Sequence, residues 1–250
     1  MKGGKVQENG DTEGRRLMGW GLLDRRVLLM TEDKDAGMLK ALLAQSPDID
    51  RQVAIWPFRG SATLPPPEVI TGLVNLMGGS LKVVLHRDRD FLMSREIALL
   101  EEPYKDAGHC LWFTRCSDIE SYWANPAAIS AHFGISIEDA QTLLDDAELA
   151  SCTEDKALKT RRKKRIDAMN RIKAVGKGEI PHFGDAEVEQ EACSHGRQYK
   201  VLGKDLTSCI RKIAQTKGNK AASAFGNVVP DGLASPMASD LETLLRTAVA

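Results

Sequence analysis

The hydrophobic positions in the first half of the chain alternate between two patterns. Four short runs are apolar at nearly every position, and they cover 27–30, 53–58, 81–85 and 110–114. Between them lie longer segments with apolar residues three or four positions apart, as in Met38, Leu39, Leu42 and Leu43. Continuous apolar runs are typical of buried parallel strands, and the wider spacing is typical of amphipathic helices. The pattern therefore predicts an α/β fold with a mainly parallel sheet flanked by helices.

Local signals predict where several helices begin and end. Pro65–Pro67 lead into a helix that ends at Gly78-Gly79, because proline suits the first helical turn and glycine the end. Ser94 begins a short helix that we expect to end at Pro103, since proline disrupts a helix interior. Ser136 is a predicted N-cap for a helix through Leu149.

These patterns divide the chain into four predicted parts. Residues 1–19 are glycine-rich and charged, which predicts a disordered leader. Residues 24–130 carry the α/β core. Residues 131–215 form a helical insertion with a basic segment, which returns to the core at Gly203-Lys204, and 216–250 form a loop and a terminal helix. The core is thus followed by a helical C-terminal extension.

Acidic residues follow three of the four predicted strands. They are Glu32, Asp33 and Asp35 after the first strand, Asp88 and Asp90 after the third, and Asp118 and Glu120 after the fourth. Open parallel sheets bind ligands beyond the carboxyl ends of their strands, so we expect these acids to meet there. Neighbouring carboxylates repel each other unless a cation lies between them, and Mg²⁺ binds such oxygens. The competing interpretation is that they are helix caps and surface ion pairs with Arg87 and Arg89.

Charge is balanced overall but not locally. The net charge is −1, so global charge indicates neither nucleic acid nor membrane, whereas residues 156–177 contain ten basic residues and one acid. A contact to a nucleic-acid backbone could use Arg161, Arg162, Lys163, Lys164 and Arg165. The alternative is a solvated helix face.

Several classes of protein are disfavoured. No apolar run is long enough to cross a bilayer and no signal peptide is present, so we expect a cytoplasmic protein without a membrane partner. Five cysteines without a C-x-x-C pair favour reduced thiols. His86-Arg87-Asp88 imitates the kinase catalytic loop but lacks its asparagine, and Gly203-Lys204 lacks the other residues of a P-loop.

Two family resemblances remain open. Residues 27–33 are similar to the opening of response-regulator receiver domains, in which Asp88 would match the phospho-accepting aspartate and Thr114 the hydroxyl residue after strand four. A lysine after strand five has no match at the expected distance, since Lys204 lies far downstream.

The second resemblance covers more of the chain, roughly residues 24–212. Glu32, Asp88-x-Asp90, the segment 118–122 and Gly203-Lys204 resemble, in order and strand-end placement, the Toprim nuclease domain of the OLD (overcoming lysogenization defect) family. That family has glycine directly after the first glutamate and an aspartate four residues after it. Here Asp33 follows Glu32 and the next acid is Asp35.

The Toprim resemblance implies a nuclease that cleaves DNA with two Mg²⁺ or Mn²⁺ ions. Glu32, Asp88 and Asp90 would hold one ion, Asp35 and Glu120 would help hold the other, and Lys204 would neutralise charge on the phosphate. The resemblance also implies a role in phage defence and an ATPase domain or a separate ATPase or helicase subunit as partner, and it allows a homodimer. The alternatives are the receiver-like phospho-acceptor and a catalytically silent interaction module.

Overall fold

A computed structural model describes residues 25–58, 64–77, 81–151, 159–167 and 201–250, together with the single positions 170, 187 and 190. The predicted leader, residues 1–19, lies outside them, as does much of the basic run 156–177. Within the described residues, no helix combines the length and the apolar character needed to span a bilayer.

Four parallel strands form the centre of the fold. They are β1 (Val27–Thr31), β2 (Val53–Pro57), β3 (Lys82–Arg87) and β4 (Cys110–Phe113), in the order β2-β1-β3-β4. All three pairings are parallel, and the register sets Thr31 beside His86. This confirms the predicted α/β fold with a parallel sheet, whose strands are the four apolar runs.

Helices cover both faces of the sheet. They are α1 (Gly37–Leu43), α2 (Pro47–Asp50), α3 (Pro67–Leu76), α4 (Ser94–Asp106), α5 (Pro126–Phe133), α6 (Ile137–Ser151), α7 (Gly203–Thr216) and α8 (Ser239–Val249). Two 3-10 helices span Ile119–Trp123 and Lys220–Ala224, and residues 159–167 are helical.

Alternation along the strands divides the core into two layers. Val27 and Leu29 point into the larger layer, which includes residues of α1, α6, α7 and α8, such as Leu206 and Leu245. Leu28 and Met30 point into the smaller layer under α3 and α4. Successive side chains of a strand face opposite ways, so each apolar run supplies both layers.

One helix end was predicted wrongly. The helix that begins at Ser94 continues through Pro103 to Asp106. Proline removes one backbone donor, but the turn that follows is held by Tyr104, whose side chain is buried and whose hydroxyl donates to the carbonyl of Pro65 at 3.0 Å. The helix from Ser136 is confirmed, with the Ser136 hydroxyl accepting from the Asp139 amide at 3.0 Å, and it extends to Ser151.

Residues after 216 belong to the core. Leu241 and Leu245 of α8 are buried in the same layer as β1, and Phe225 is fully buried there too. Asp240 accepts hydrogen bonds from the Trp112 indole at 2.9 Å and from the Tyr122 hydroxyl at 2.7 Å. The terminal helix was predicted, but its place against the sheet was not.

Candidate functional site

The acids that follow β1 and β3 are brought into contact. The backbone amide of Asp88 donates to Glu32 Oε1 at 3.2 Å, although 56 positions separate the two residues. Adjacent parallel strands end side by side, so the residues that follow them meet at one edge. The predicted convergence of Glu32 and Asp88 is therefore present.

The segment after β4 and the start of α7 join the same edge. The amide of Ile119 donates to Asp88 Oδ1 at 3.1 Å. Asp118 accepts from the Ser121 hydroxyl at 2.8 Å and from the Lys204 amide at 3.2 Å. We name Glu32, Asp33, Asp88, Asp118 and Glu120 the acid rim.

The charges of the acid rim disfavour one another. Burial, and then the carboxylate of Glu32, raise the pKa of Asp33 to about 6. Burial and Glu120 raise the pKa of Asp118 to about 6, and burial followed by Asp118 and Asp33 raises that of Asp88 well above its usual range. Like charges in a desolvated cluster produce such shifts, and a bound cation would reverse them.

His86 is a site residue that the sequence reasoning missed. Its ring is fully buried beneath the rim, with Nδ1 2.8 Å from Thr31 Oγ1 and 3.6 Å from Asp33 Oδ2. Nε2 lies 3.8 Å from Asp88 Oδ1 and has no hydrogen-bond partner among the described residues. Burial and the neighbouring Arg87 lower the pKa of His86 to about 3, so the imidazole is neutral.

Arg87 supplies positive charge under the rim. Its side chain is 2% exposed, and Nη2 lies 3.5 Å from Glu32 Oε2. A buried charge is stable only when paired, and Glu32 also accepts the Asp88 amide. Glu32 is thereby held by two consecutive residues at the end of β3, Arg87 and Asp88.

Two predicted ligands have other partners. Asp35 accepts the Gly37 amide at 2.8 Å at the start of α1. Asp33 instead lies close enough to Glu32 and Asp118 for their negative charges to raise its pKa. Asp90 is buried, and its carboxylate lies 2.5 Å from Lys164 Nζ. Of the acids that follow Glu32, Asp33 is thus the one in the rim.

Lys204 lies at the first turn of α7, over the acids that follow β4. Its backbone amide binds Asp118, and its positive charge lowers the pKa of both Asp118 and Glu120 against the larger upward effect of burial. The preceding Gly203 is buried so closely that a Cβ there would lie 2.1 Å from Asp118 Oδ1 and 2.3 Å from the Ser121 amide nitrogen. This close approach explains why glycine precedes the lysine.

The five predicted nucleic-acid contacts lie in different environments. Arg161 is buried, and Arg165 is buried in an ion pair with Glu96, so neither guanidinium is available at the surface for a phosphate. Arg162 and Lys163 are exposed. Lys164 points to Asp90 at the edge of the rim. The structure therefore leaves Arg162 and Lys163 as the surface-exposed members of the predicted set.

Thr114, matched to a receiver in the sequence, uses its hydroxyl internally. Oγ1 accepts from the Arg89 amide at 3.0 Å and donates to the Cys116 carbonyl at 2.8 Å. Its side chain is buried. This hydroxyl organises the loops after β3 and β4.

The donors of the acid rim fit a hard divalent cation in kind. They are carboxylate oxygens next to an imidazole nitrogen without a hydrogen-bond partner among the described residues. The pKa values of Asp33, Asp88, Asp118 and Glu120 are raised. Within those same ranges, no three His, Cys, Asp or Glu side chains are already grouped closely enough to hold a metal ion. Binding would therefore require side-chain rotations at the rim.

Comparisons with family models, with curated proteins and with solved structures found no match to this chain.

Proposed function

We propose that this protein is a metal-dependent nuclease that hydrolyses DNA phosphodiester bonds at the acid rim. The observation that carries the proposal is the hydrogen bond from the Asp88 amide to Glu32, which joins the acids after β1 and β3 in one charged, desolvated cluster. Hydrolysis of a phosphodiester needs groups that hold cations and stabilise negative charge. The rim offers the first and Lys204 the second.

Each acid has a proposed role. Glu32 and Asp88 would hold a divalent cation, Mg²⁺ or Mn²⁺, with Asp33 and Asp118 beside them. Asp90, Asp35 and Glu120 would add negative charge around one or two ions. Such ions stabilise the attacking and leaving oxygens of the displacement. Lys204 would neutralise charge on the phosphate, and the neutral ring of His86 lies beneath the rim, 3.8 Å from a carboxylate oxygen of Asp88 and 3.6 Å from one of Asp33.

The proposed substrate is the DNA backbone. Arg162 and Lys163 are exposed on the helical segment 159–167, and the next residue, Lys164, reaches Asp90 at the edge of the rim. DNA whose phosphates bind Arg162 and Lys163 would therefore lie next to the site. The Toprim resemblance adds the proposals of an ATPase or helicase partner, cytoplasmic location and a role in phage defence.

Cleavage of supercoiled plasmid tests the function. Wild-type protein with Mn²⁺ or Mg²⁺ should nick the plasmid, and EDTA should stop it. Asp88→Asn and Glu32→Gln should each lower the rate by at least about 100-fold, the scale expected when one group that stabilises transition-state charge is lost. Asp231→Asn changes an exposed acid that is not part of the acid rim; it is the matched control and should cut normally. Equal nicking by all four proteins would contradict the assignment.

A receiver-like phospho-acceptor is the second candidate. It is favoured by the position of Asp88 at the end of β3 beside Glu32 and Asp33, in a sheet with the strand order β2-β1-β3-β4. It is disfavoured by Thr114, whose hydroxyl is engaged with Arg89 and Cys116.

Incubation with a small phosphodonor, followed by mass spectrometry, separates the receiver from the nuclease: modification of Asp88 supports the receiver. Absence of both modification and cleavage would favour a catalytically silent module.

A further inference from the structure

Lys164 reaches an acid at the edge of the rim from a distant part of the chain. Its Nζ lies 2.5 Å from Asp90 Oδ1, with 74 positions between the two residues. The Asp90 side chain is 5% exposed and that of Lys164 is 25% exposed. The ammonium group is therefore partly desolvated and still has a path to solvent.

The position of Lys164 is fixed by its neighbour. Arg165 forms a two-pronged ion pair with the fully buried Glu96, in which Nη2 lies 2.6 Å from Oε1, and it also donates to the Phe91 carbonyl at 3.3 Å. Glu96 in turn accepts the Met93 amide at 2.8 Å. Since a two-pronged arginine pair defines orientation, the segment 159–167 is clamped to the loop that carries Asp90.

The charge of Lys164 also acts across the rim. Burial raises the pKa of Glu120, and the nearby cations Lys204 and Lys164 oppose that rise. Lys164 is thus within electrostatic range of acids that follow both β3 and β4. A lysine here can serve either the acids or an anion brought to them, because its ammonium is a flexible point charge with three donors.

We propose that Lys164 exchanges partners during the reaction cycle. In the metal-free protein it neutralises Asp90; when a divalent cation occupies the rim, Asp90 turns toward the cation and the freed ammonium binds a phosphate oxygen of the substrate. This rests on the proposed function and adds a substrate-binding residue to it. The exchange is favourable because the cation brings two positive charges where Lys164 had brought one, while the incoming phosphate is an anion that the acids would otherwise repel.

The exchange predicts effects of opposite sign on two ligands. Lys164→Met removes a competitor of the cation, so Mn²⁺ affinity measured by calorimetry should rise about three- to tenfold. The same variant should bind duplex DNA more weakly in Ca²⁺, which is used to permit binding without cleavage. A plot of log K for DNA binding against log salt concentration has a negative slope. In Ca²⁺ its magnitude should be smaller by about 0.9 for this variant, which is the loss of one phosphate contact, and the difference should be absent in EDTA.

Two further variants separate the exchange from a structural role. Lys163→Met is the matched control: this exposed neighbour should leave Mn²⁺ affinity unchanged, and any loss of DNA affinity should be the same with Ca²⁺ and with EDTA. Lys164→Arg keeps the charge and should restore the salt slope in Ca²⁺. Thermal unfolding in EDTA checks that each variant is folded.

The results distinguish this inference from the function on which it rests. If wild-type protein binds no Mn²⁺ and cuts no plasmid, the nuclease proposal fails and the exchange fails with it. If wild-type protein binds and cuts while Lys164→Met has unchanged or lower Mn²⁺ affinity, only the exchange is refuted. An equal decrease in the magnitude of the salt slope with and without Ca²⁺ would also refute the exchange, because Lys164 would then contact the DNA backbone whether or not a cation is bound.

Discussion

Asp33 carries a carboxyl group where its charged form is disfavoured. Burial and Glu32 raise its pKa from 3.8 to about 6. An unfolded aspartate is charged above about pH 4. Between these two values the folded state holds a proton that the unfolded state has lost, so this residue lowers stability progressively as pH rises from about 4 to 6. At neutral pH the destabilisation is fully present.

Asp33→Asn is therefore expected to stabilise the metal-free protein at pH 7.5 and to have little effect at pH 4. We expect a gain of about 1–2 kcal/mol, since the side chain keeps some contact with water, or a rise in Tm of about 2–6 °C. Calorimetry in EDTA at both pH values measures it, with Asp231→Asn as control. A Tm change of equal size at both pH values would contradict the electrostatic explanation.

The effect of Asp33 on stability has to be measured by comparing variants, because His86 changes the stability of the protein with pH in the opposite direction. Burial lowers its pKa from 6.5 to about 3, so the unfolded state binds the extra proton between these values, and stability from this residue rises with pH over that range. The raised pKa values of Asp118 and Asp88 act in the same direction as that of Asp33. The pH profile of the wild-type protein alone is a sum of these effects.

The sequence identified the acids of the site but not the buried residues beneath them, His86 and Thr31. Glu32 and Asp88 were identified because each lies just beyond an apolar run that predicts a strand, and strand ends of a parallel sheet coincide. His86 and Thr31 lie inside the strands, where a single polar residue gives no periodic signal. A signal did exist: each is the polar residue that closes its run, and the register pairs them. Whether Asp33 or Asp35 joined the rim depended on side-chain directions that spacing does not encode.

At the level of elements, the close approach of α7 to the 3-10 helix Ile119–Trp123 defines the position of Lys204. Gly203 is in contact with both Asp118 and Ser121, and a methyl group there would overlap backbone atoms. Helices approach this closely only at glycine or another very small residue. The geometry of Asp118 thus depends on a residue 85 positions later in the chain.

Gly203→Ala should destabilise the protein and displace Asp118, because the overlap with the Ser121 amide involves backbone that must move. We expect a loss of about 1–3 kcal/mol by urea unfolding, together with loss of plasmid cleavage. Gly72→Ala in α3 is the matched control: nothing lies within 4 Å of its added methyl group, so the helix should gain about 0.5–1 kcal/mol. Equal effects of the two substitutions would contradict the packing explanation.

Long elements were predictable and short ones were not. The strands were found as continuous apolar runs, and the helix predicted from Ser136 through Leu149 lies close to the observed α6. The single turn α2 and the 3-10 helix Ile119–Trp123 are too short to show a periodic pattern. Pro103 misled the prediction because a proline signal is local, whereas Tyr104 holds the turn through a contact with Pro65.

For the whole molecule, the decisive contacts join sequence regions that local patterns treat as separate. Trp112 in β4 and Tyr122 both donate to Asp240 in α8, across more than 100 positions. Leu206, Leu245 and Val27 share one apolar layer. The segment predicted as loop and terminal helix is therefore part of the sheet's core, and no periodicity within 216–250 could have revealed its partners.

Leu245→Ala should destabilise the sheet as well as α8. Leu245 is fully buried, and loss of such a side chain costs about 2–5 kcal/mol. If the fold is one cooperative unit, far-ultraviolet circular dichroism and tryptophan fluorescence should report the same lowered urea midpoint. Thr243→Ala, exposed on the same helix, should leave the midpoint nearly unchanged. Separate transitions by the two probes would show that α8 unfolds independently.

The loop after β3 has two consecutive residues with left-handed backbone, Asp90 at φ 50° and Phe91 at φ 64°. For residues with side chains this torsion costs on the order of 1 kcal/mol each, and neighbouring contacts must maintain it. Phe91 contributes by packing with Met93 and Leu202. Glycine at either position would relax the chain but remove the carboxylate or the aromatic ring. Heat resistance and site geometry are thus in direct conflict at this bend, and engineering for one can be expected to erode the other.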